Sequence, residues 1–104
     1  MAALDVERLE AMAEEATVDA YNESEQICGW ACTLETHVAL PFETIVLGDA
    51  VTVDRIEQRG ICVVAICKRG RSRQAIDILE LPLPSSRPAG AEWIDAYRHW
   101  WTGW

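Results

Sequence analysis

Four cysteines are the side chains in this 104-residue sequence with the most obvious capacity for metal or nucleophilic chemistry. Cys28 and Cys32 are four residues apart, so on a helix both thiols share one face and could supply two soft ligands. Cys62 and Cys67 are an odd number of positions apart in a strand-like run, which directs their side chains to opposite faces. The four thiols therefore do not converge on one tetrahedral zinc ion, and no C-x-x-C pair is present. We predict no zinc site and interpret the cysteines as small buried apolar residues in a reducing compartment.

Carboxylates near the ends of the expected elements are the second group with binding chemistry. Calcium binds about six to eight oxygen atoms from carboxylates, carbonyls and water, and loops can present all three. No D-x-D-x-D-G loop is present, so the sequence excludes an EF-hand. For each acid taken alone, a surface or helix-capping role is the alternative explanation. The acids in question are Asp19, Glu23, Glu35, Glu43, Asp49, Asp54 and Glu57.

Motifs of enzymatic catalysis are absent from the sequence. There is no phosphate-binding glycine-rich loop, no H-E-x-x-H and no nucleophile elbow. His37 and His99 have no neighbouring signature that would pair either with a cysteine or serine nucleophile. We therefore expect a protein that is not an enzyme.

The charge of the chain is concentrated in its first part. The net charge is −8, but Met1–Glu43 alone carries ten acids and one base. A negative surface region of this kind suits a cation or a protein partner with a basic face, and it disfavours nucleic acid. The longest apolar run, Ile61–Cys67, is too short to span a bilayer, and the first ten residues lack the features of a secretory signal. We expect a cytoplasmic protein without a membrane segment.

The hydrophobic pattern predicts two helices, a small sheet and a closing helix in a single domain, residues 1–104. Apolar residues at helical spacing indicate a first helix, of which residues 1–17 have little to bury and are expected to pack loosely. Asn22 and Glu25 form a capping-box pattern for a second helix that Pro41 ends. Short strands with tight turns between Phe42 and Leu81 predict a bent antiparallel sheet or barrel of four to five strands. The tryptophan-rich tail from Pro88 onward is expected to be a helix docked on this sheet.

Four basic residues lie at one predicted hairpin tip. They are Lys68, Arg69, Arg71 and Arg73. A solvated turn explains them without any function. Alternatively, they bind an anionic partner or the acidic part of a second copy.

An ordered succession of short motifs covers the chain from Val18 to Trp104. The motifs are Asp19-Ala20-Tyr21, Glu25-Gln26, Gly29-Trp30, Leu34-Glu35, Pro41-Phe42, Gly48–Val53, Ala75–Glu80, Tyr97–Trp100 and Gly103-Trp104. Together they resemble the small cyanobacterial-type calcium-binding protein family. This resemblance implies α+β architecture, with an SH3-like bent sheet or barrel between helices, and calcium sequestration without an EF-hand.

Two functions follow from the residues and the resemblance taken together. The first is calcium binding and buffering, with Ca²⁺ held by Glu35, Glu43, Asp54 and Glu57 and completed by backbone oxygen and water. The second is a metal-independent acidic interaction module or regulator. The family pattern has a longer, acid-rich segment between its central strands, whereas Asp54–Gly60 here contains two arginines, and this departure favours the second function.

Overall fold

Two helices precede the sheet and one follows it in the computed structural model, which describes residues 6–102. Helix α1 spans Val6–Ala16, α2 spans Glu23–His37 and α3 spans Ala91–Thr102. The predicted α+β class and the tryptophan-containing C-terminal helix are confirmed. Gly103 and Trp104, the last motif of the tail, lie outside the described residues. None of the helices in the described part has both the length and the apolar character needed to cross a membrane.

The start of α2 follows the predicted cap with one difference. Asn22 is the N-cap, and its Oδ1 accepts a hydrogen bond from the Glu25 backbone N–H at 2.9 Å. The Glu25 Oε1 in turn accepts from the N–H of Tyr21, one residue before the cap, at 2.7 Å. Two N–H groups that the helix itself cannot satisfy are therefore bonded to side chains.

Four antiparallel strands form one open sheet in the order β1-β2-β3-β4. They are β1 Phe42–Val46, β2 Asp49–Arg59, β3 Cys62–Arg69 and β4 Ser72–Asp77. Among the described residues β1 and β4 are the two edges, so the predicted antiparallel sheet is confirmed, and it is not closed into a barrel. Strand β1 pairs only with Asp49–Val53 and leaves the rest of β2 without a strand on that side.

The core lies between the helices and the inner face of the sheet. Trp30 of α2 and Tyr97 of α3 are fully buried and meet edge to face with ring centroids 5.4 Å apart. Helix α1 contributes three buried residues, Leu9, Ala13 and Ala16. In β3 both faces are covered, as predicted for the central strand, because Val64 and Ile66 on the outer face are also buried.

Two glycines allow close approaches that set the position of α2. A Cβ on Gly29 would lie 2.4 Å from the carbonyl oxygen of Ala16, so the end of α1 packs directly on the α2 backbone. Gly90 has a φ of +86°, and a Cβ there would lie 2.0 Å from the His37 carbonyl oxygen. Only glycine fits both conditions at this position. The start of α3 is thereby held against the end of α2.

Candidate metal site

A cleft of about 390 Å³ lies between α2 and the second half of β2, and we call it the α2–β2 cleft. The cleft exists because β1 pairs with β2 only as far as Val53 of β2. Beyond that residue α2, and not a strand, lies beside β2. Glu35 and Glu57, two of the four predicted calcium ligands, both line it. The complete lining is Cys28, Ala31, Cys32, Glu35, Thr36, Ile56, Glu57 and Gln58.

Glu35 joins the helix to the uncovered strand edge. Its Oε2 accepts a hydrogen bond from the Ile56 backbone N–H at 2.8 Å. This bond takes the place of a strand partner for that N–H, which would otherwise be a buried, unpaired donor. A carboxylate has about four lone-pair positions on its two oxygens, so Glu35 keeps acceptor capacity for a cation.

Glu57 lies between two guanidinium groups of its own strand. Its Oε1 is 3.6 Å from Nε of Arg55, and its Oε2 is 3.1 Å from Nε of Arg59. Both arginine side chains are more than half exposed, and exposed pairs of this kind contribute at most about 1 kcal/mol each. The arginines therefore compete with a cation for Glu57, but only weakly.

The other two predicted ligands lie outside the lining of the cleft. Asp54 sits at the register shift of β2, and its Oδ2 is 3.3 Å from Nζ of Lys68. Glu43 is exposed on β1 and faces Thr52 across the β1–β2 ladder. Within residues 6–102 no three His, Cys, Asp or Glu side chains are grouped closely enough to hold a metal ion by themselves. Of the four predicted calcium ligands, the structure places Glu35 and Glu57 in one cleft.

The basic hairpin tip is partly neutralised by acids of the sheet. Lys68 pairs with Asp54, and Arg69 pairs with Asp49. Arg71 and Arg73 are exposed near the β3–β4 turn.

Arg73 also lines a shallow depression of about 230 Å³ on the outer face of the sheet, together with Arg55 and Arg59. Sequence reasoning missed this cluster, although the alternation of residues along β2 would place Arg55 and Arg59 on one face.

The cysteines differ from one another in exposure. Cys67 is buried, but Cys28 and Cys32 are exposed, so the prediction of buried cysteines is wrong for this pair. The reason is that the buried stripe of α2 runs through Ile27, Trp30, Ala31 and Leu34, and the thiols lie beside it. Partial burial, then the adjacent Cys28 thiol and the charge of Glu35, raise the pKa of Cys32 above its usual value. Cys32 is therefore a protonated thiol at neutral pH rather than a nucleophile.

The two histidines lie away from the cleft. His37 stacks on Trp93 with ring centroids 4.6 Å apart. His99 is about one-third exposed, and its Nε2 is 4.0 Å from Oε2 of Glu10.

Residues 10–101 match the model of a protein family described as calcium binding, the CcbP type. Since the match covers nearly the whole chain, the protein belongs to this calcium-binding family, and Ca²⁺ is the metal ion that the family implies. Comparison with curated proteins found no match. Comparison with solved structures found none either.

The residues of the α2–β2 cleft fit such an ion in chemical type. Two carboxylates, the hydroxyl of Thr36 and the amide of Gln58 are oxygen donors, and calcium prefers oxygen ligands.

Proposed function

We propose that this chain is a cytoplasmic calcium buffer that binds Ca²⁺ without an EF-hand, in the α2–β2 cleft. The observation that carries the proposal is the meeting of Glu35 and Glu57 in one cleft of a chain that belongs to a calcium-binding family. Binding rather than catalysis is the role that these groups suit, because they supply oxygen ligands and no activated nucleophile.

The carboxylates of Glu35 and Glu57 would have different roles in binding the ion. Glu35 is already positioned by the Ile56 N–H, so it loses little conformational freedom when it binds a cation. Glu57 is one-third exposed and held only by exposed arginines, so it can turn toward the ion. Water fills the remaining coordination positions, because the cleft is open to solvent and calcium accepts a mixed oxygen shell. When bound, the ion would link α2 to the uncovered edge of β2.

The architecture around the cleft supports a site that is not an EF-hand. An EF-hand holds calcium in a twelve-residue loop between two helices. Here one carboxylate comes from the last turns of a helix and the other from a strand that begins after a hairpin. Ligands from distant parts of the chain would be gathered by the tertiary fold.

Calorimetric titration of the chelator-treated protein with calcium tests the proposal. We expect saturable binding, and we expect Glu35→Gln with Glu57→Gln to weaken it at least about tenfold, since calcium affinity follows the number of charged ligands. Glu15→Gln with Glu80→Gln is the matched control, because it removes the same two charges from exposed positions outside the cleft.

Three outcomes of the titration would contradict the proposal or move the site to other residues. No saturable heat at millimolar calcium would contradict calcium binding by this chain. Full affinity in the double variant would contradict the cleft as the site. Glu43→Gln and Asp54→Asn are measured in parallel, since both remain sequence predictions, and a larger loss in either than in the cleft variants would move the site to the sheet.

A second function, the interaction module that does not need metal, is favoured by one observation. Three arginines, Arg55, Arg59 and Arg73, surround the depression on the outer face of the sheet, and Arg71 lies exposed at the neighbouring turn. This surface suits an anionic protein partner. Capture of a partner equally with and without chelator, and its loss in Arg71→Glu with Arg73→Glu, would support this function over buffering.

A further inference from the structure

The free edge of β4 exposes backbone groups that can pair with another strand. In the part of the chain that the structure describes, β4 pairs with β3 alone and ends the sheet. Ser72–Ala75 is exposed, and Ile76 and Asp77 are half-buried. The other edge differs, because the buried Thr44 of β1 donates a hydrogen bond to the Pro82 carbonyl at 2.6 Å. An uncovered strand edge is a template for a further strand.

The pairing of β3 with β4 determines which backbone groups lie on this edge. The Ile78 N–H donates to the Val63 carbonyl at 3.0 Å. Successive residues of an antiparallel strand direct their N–H and C=O groups alternately to the two sides, so every second residue before Ile78 also faces β3. The N–H and C=O groups of Arg73, Ala75 and Asp77 therefore face outward.

The side chains of the same three residues make the charge pattern of this edge complementary to itself. Arg73, Ala75 and Asp77 share the outer face of the sheet, and neither charged residue forms an ion pair within residues 6–102. In a two-fold antiparallel pair centred on Ala75, Arg73 of each copy lies opposite Asp77 of the other. A pair centred on Arg73 or on Asp77 would oppose like charges, which is destabilising.

We propose that β4 is the contact strand of a homodimer, in which the β4 strands of two copies pair antiparallel about a two-fold axis at Ala75. The two sheets then form one continuous sheet. Ala75 of each copy exchanges both ladder hydrogen bonds with Ala75 of the other, and the Asp77 N–H donates to the Arg73 carbonyl of the other copy. The Asp77 carbonyl already accepts from the Glu80 N–H at 2.9 Å, and its second lone pair is available to the Arg73 N–H.

An arginine on a strand edge taken alone discourages pairing between copies. Asp77 reverses this effect, because it lies where the antiparallel strand brings Arg73 of the second copy. On the inner face, the half-buried Ile76 lies opposite Gln74 of the second copy, whose aliphatic part adds apolar contact.

The expected dimer is weak and independent of the proposed calcium site. One short strand from each copy makes a small contact, and small interfaces are characteristic of transient association. Each copy also carries a net charge of −8, which opposes association at low salt. The five residues from Arg73 to Asp77 lie outside the lining of the α2–β2 cleft, so failure of the dimer would leave the calcium proposal intact.

Analytical ultracentrifugation of the reduced, chelator-treated full-length protein from about 10 µM to about 1 mM tests the dimer. At about 0.15 M salt the Debye length is about 8 Å, which screens the repulsion between the net charges. We expect a reversible monomer–dimer equilibrium. Arg73→Asp should weaken it at least about tenfold, because two attractive cross-strand pairs become repulsive. Arg71→Asp is the matched control, since it makes the same charge change at the exposed turn beside the strand.

Two further measurements test the register. Arg73→Asp with Asp77→Arg exchanges the charges and restores complementarity, so this double variant should dimerise again. Amide hydrogen exchange reports the strand pairing itself. The Ala75 and Asp77 amides should become protected as the protein concentration rises, whereas the Ile76 amide, which faces β3, should not change. Circular dichroism verifies that each variant is folded.

Several outcomes would overturn the proposal. A monomer over the whole concentration range would do so, as would a dimer in which the Ala75 and Asp77 amides stay unprotected. Unchanged dimerisation in Arg73→Asp, or an equal loss in Arg71→Asp, would show that β4 is not the contact. A folded double variant that stays monomeric would overturn the register centred on Ala75. If that variant is unfolded, Arg73→Asp and the hydrogen exchange of the unmodified chain decide.

Discussion

The carboxylate of Glu57 is held between Arg55 and Arg59, and this sets the strength of any cation site that uses it. Both pairs are exposed, so each guanidinium is a weak competitor for Glu57 and not a fixed partner. The two arginines reduce the negative potential at the cleft and leave the Glu57 carboxylate in place.

We predict that Arg59→Gln strengthens calcium binding. Loss of the closer guanidinium, 3.1 Å from Oε2, frees Glu57 and removes a positive charge beside the ion. An exposed pair is worth up to about 1 kcal/mol, so the affinity should rise about two- to fivefold. Calorimetric titration measures the change. Arg87→Gln is the control, because Arg87 pairs with Asp95 at α3 rather than with an acid of the cleft; an equal rise in that variant would point to net charge rather than to Glu57.

Tyr97 gives the fold a specific response to alkaline pH. Burial, followed by the negative charge of Asp77, raises the pKa of Tyr97 to about 12. The unfolded phenol titrates near pH 10, so the folded state keeps the Tyr97 proton to a higher pH than the unfolded state does. The contribution of Tyr97 to the free energy of unfolding is therefore fully present below pH 10 and decreases above it. Between pH 10 and 12 this group should remove about 2 to 3 kcal/mol of the unfolding free energy. Urea unfolding measured along this range checks the slope, and Tyr97→Phe should flatten it; an unchanged slope in that variant would contradict the assignment.

Helix α3 is attached to the end of the sheet by one arginine that the sequence gives little reason to single out. Arg98 Nε and Nη2 donate to the Ile78 carbonyl at 3.0 and 2.8 Å, and Nη2 also donates to the Leu81 carbonyl at 2.5 Å. Burial lowers the pKa of Arg98 below its usual value, and the negative charge of Asp95 offsets only part of this shift. The guanidinium thus satisfies carbonyls of the segment that leaves β4.

Arg98→Met should lower the unfolding free energy by about 2–4 kcal/mol. The change keeps the aliphatic stem but leaves the two carbonyls without their donor, and each unpaired buried group costs about 1–3 kcal/mol. Chemical denaturation measures the loss. Arg71→Met, at an exposed turn, should stay within about 0.5 kcal/mol of the unmodified chain. Similar stability in both variants would show that Arg98 does not attach α3.

Local patterns predicted the elements well because each depends on neighbouring residues. The Asn22 cap, the turns at Gly60 and Gly70 and the doubly covered β3 are all sequence-local signals. Which of the two predicted forms occurs, a sheet or a closed barrel, was not predictable in this way, because it depends on pairing between strands that are distant in the chain. The contact of Glu35 with the Ile56 N–H, 21 residues away, likewise depends on the tertiary fold.

Only part of the candidate site could be predicted from the sequence, because its remaining features depend on contacts between distant residues. Acids at element ends were visible in the sequence, and Glu35 and Glu57 were among them. Their meeting in the α2–β2 cleft, the ion pair of Asp54 with Lys68 and the exposure of Cys28 and Cys32 are products of packing. Periodicity indicates which face a residue shares, but not which element will lie opposite that face.

Across the whole molecule, the cleft lies at the border between two regions of opposite charge. The helices α1 and α2 together contain seven acids and one Lys or Arg residue, Arg8. The outer face of the sheet contains Arg55, Arg59, Lys68 and Arg73. The net charge of −8 attracts a divalent cation from a distance, and the neighbouring arginines oppose that attraction locally. Salt screens both effects, but exposed charges more than a Debye length apart are screened most.

Calcium affinity should therefore fall with ionic strength, by about three- to tenfold between 0.05 and 0.5 M potassium chloride. The distant acids lose their influence first, while Glu35 and Glu57, the proposed ligands, would still contact the ion directly. Arg59→Gln measured over the same series separates the local from the distant contribution, because its advantage over the unmodified chain should shrink as salt screens the missing charge. Affinity that stays constant across the series would mean that the acidic helices have no part in attracting calcium, and that the ligands alone determine its binding.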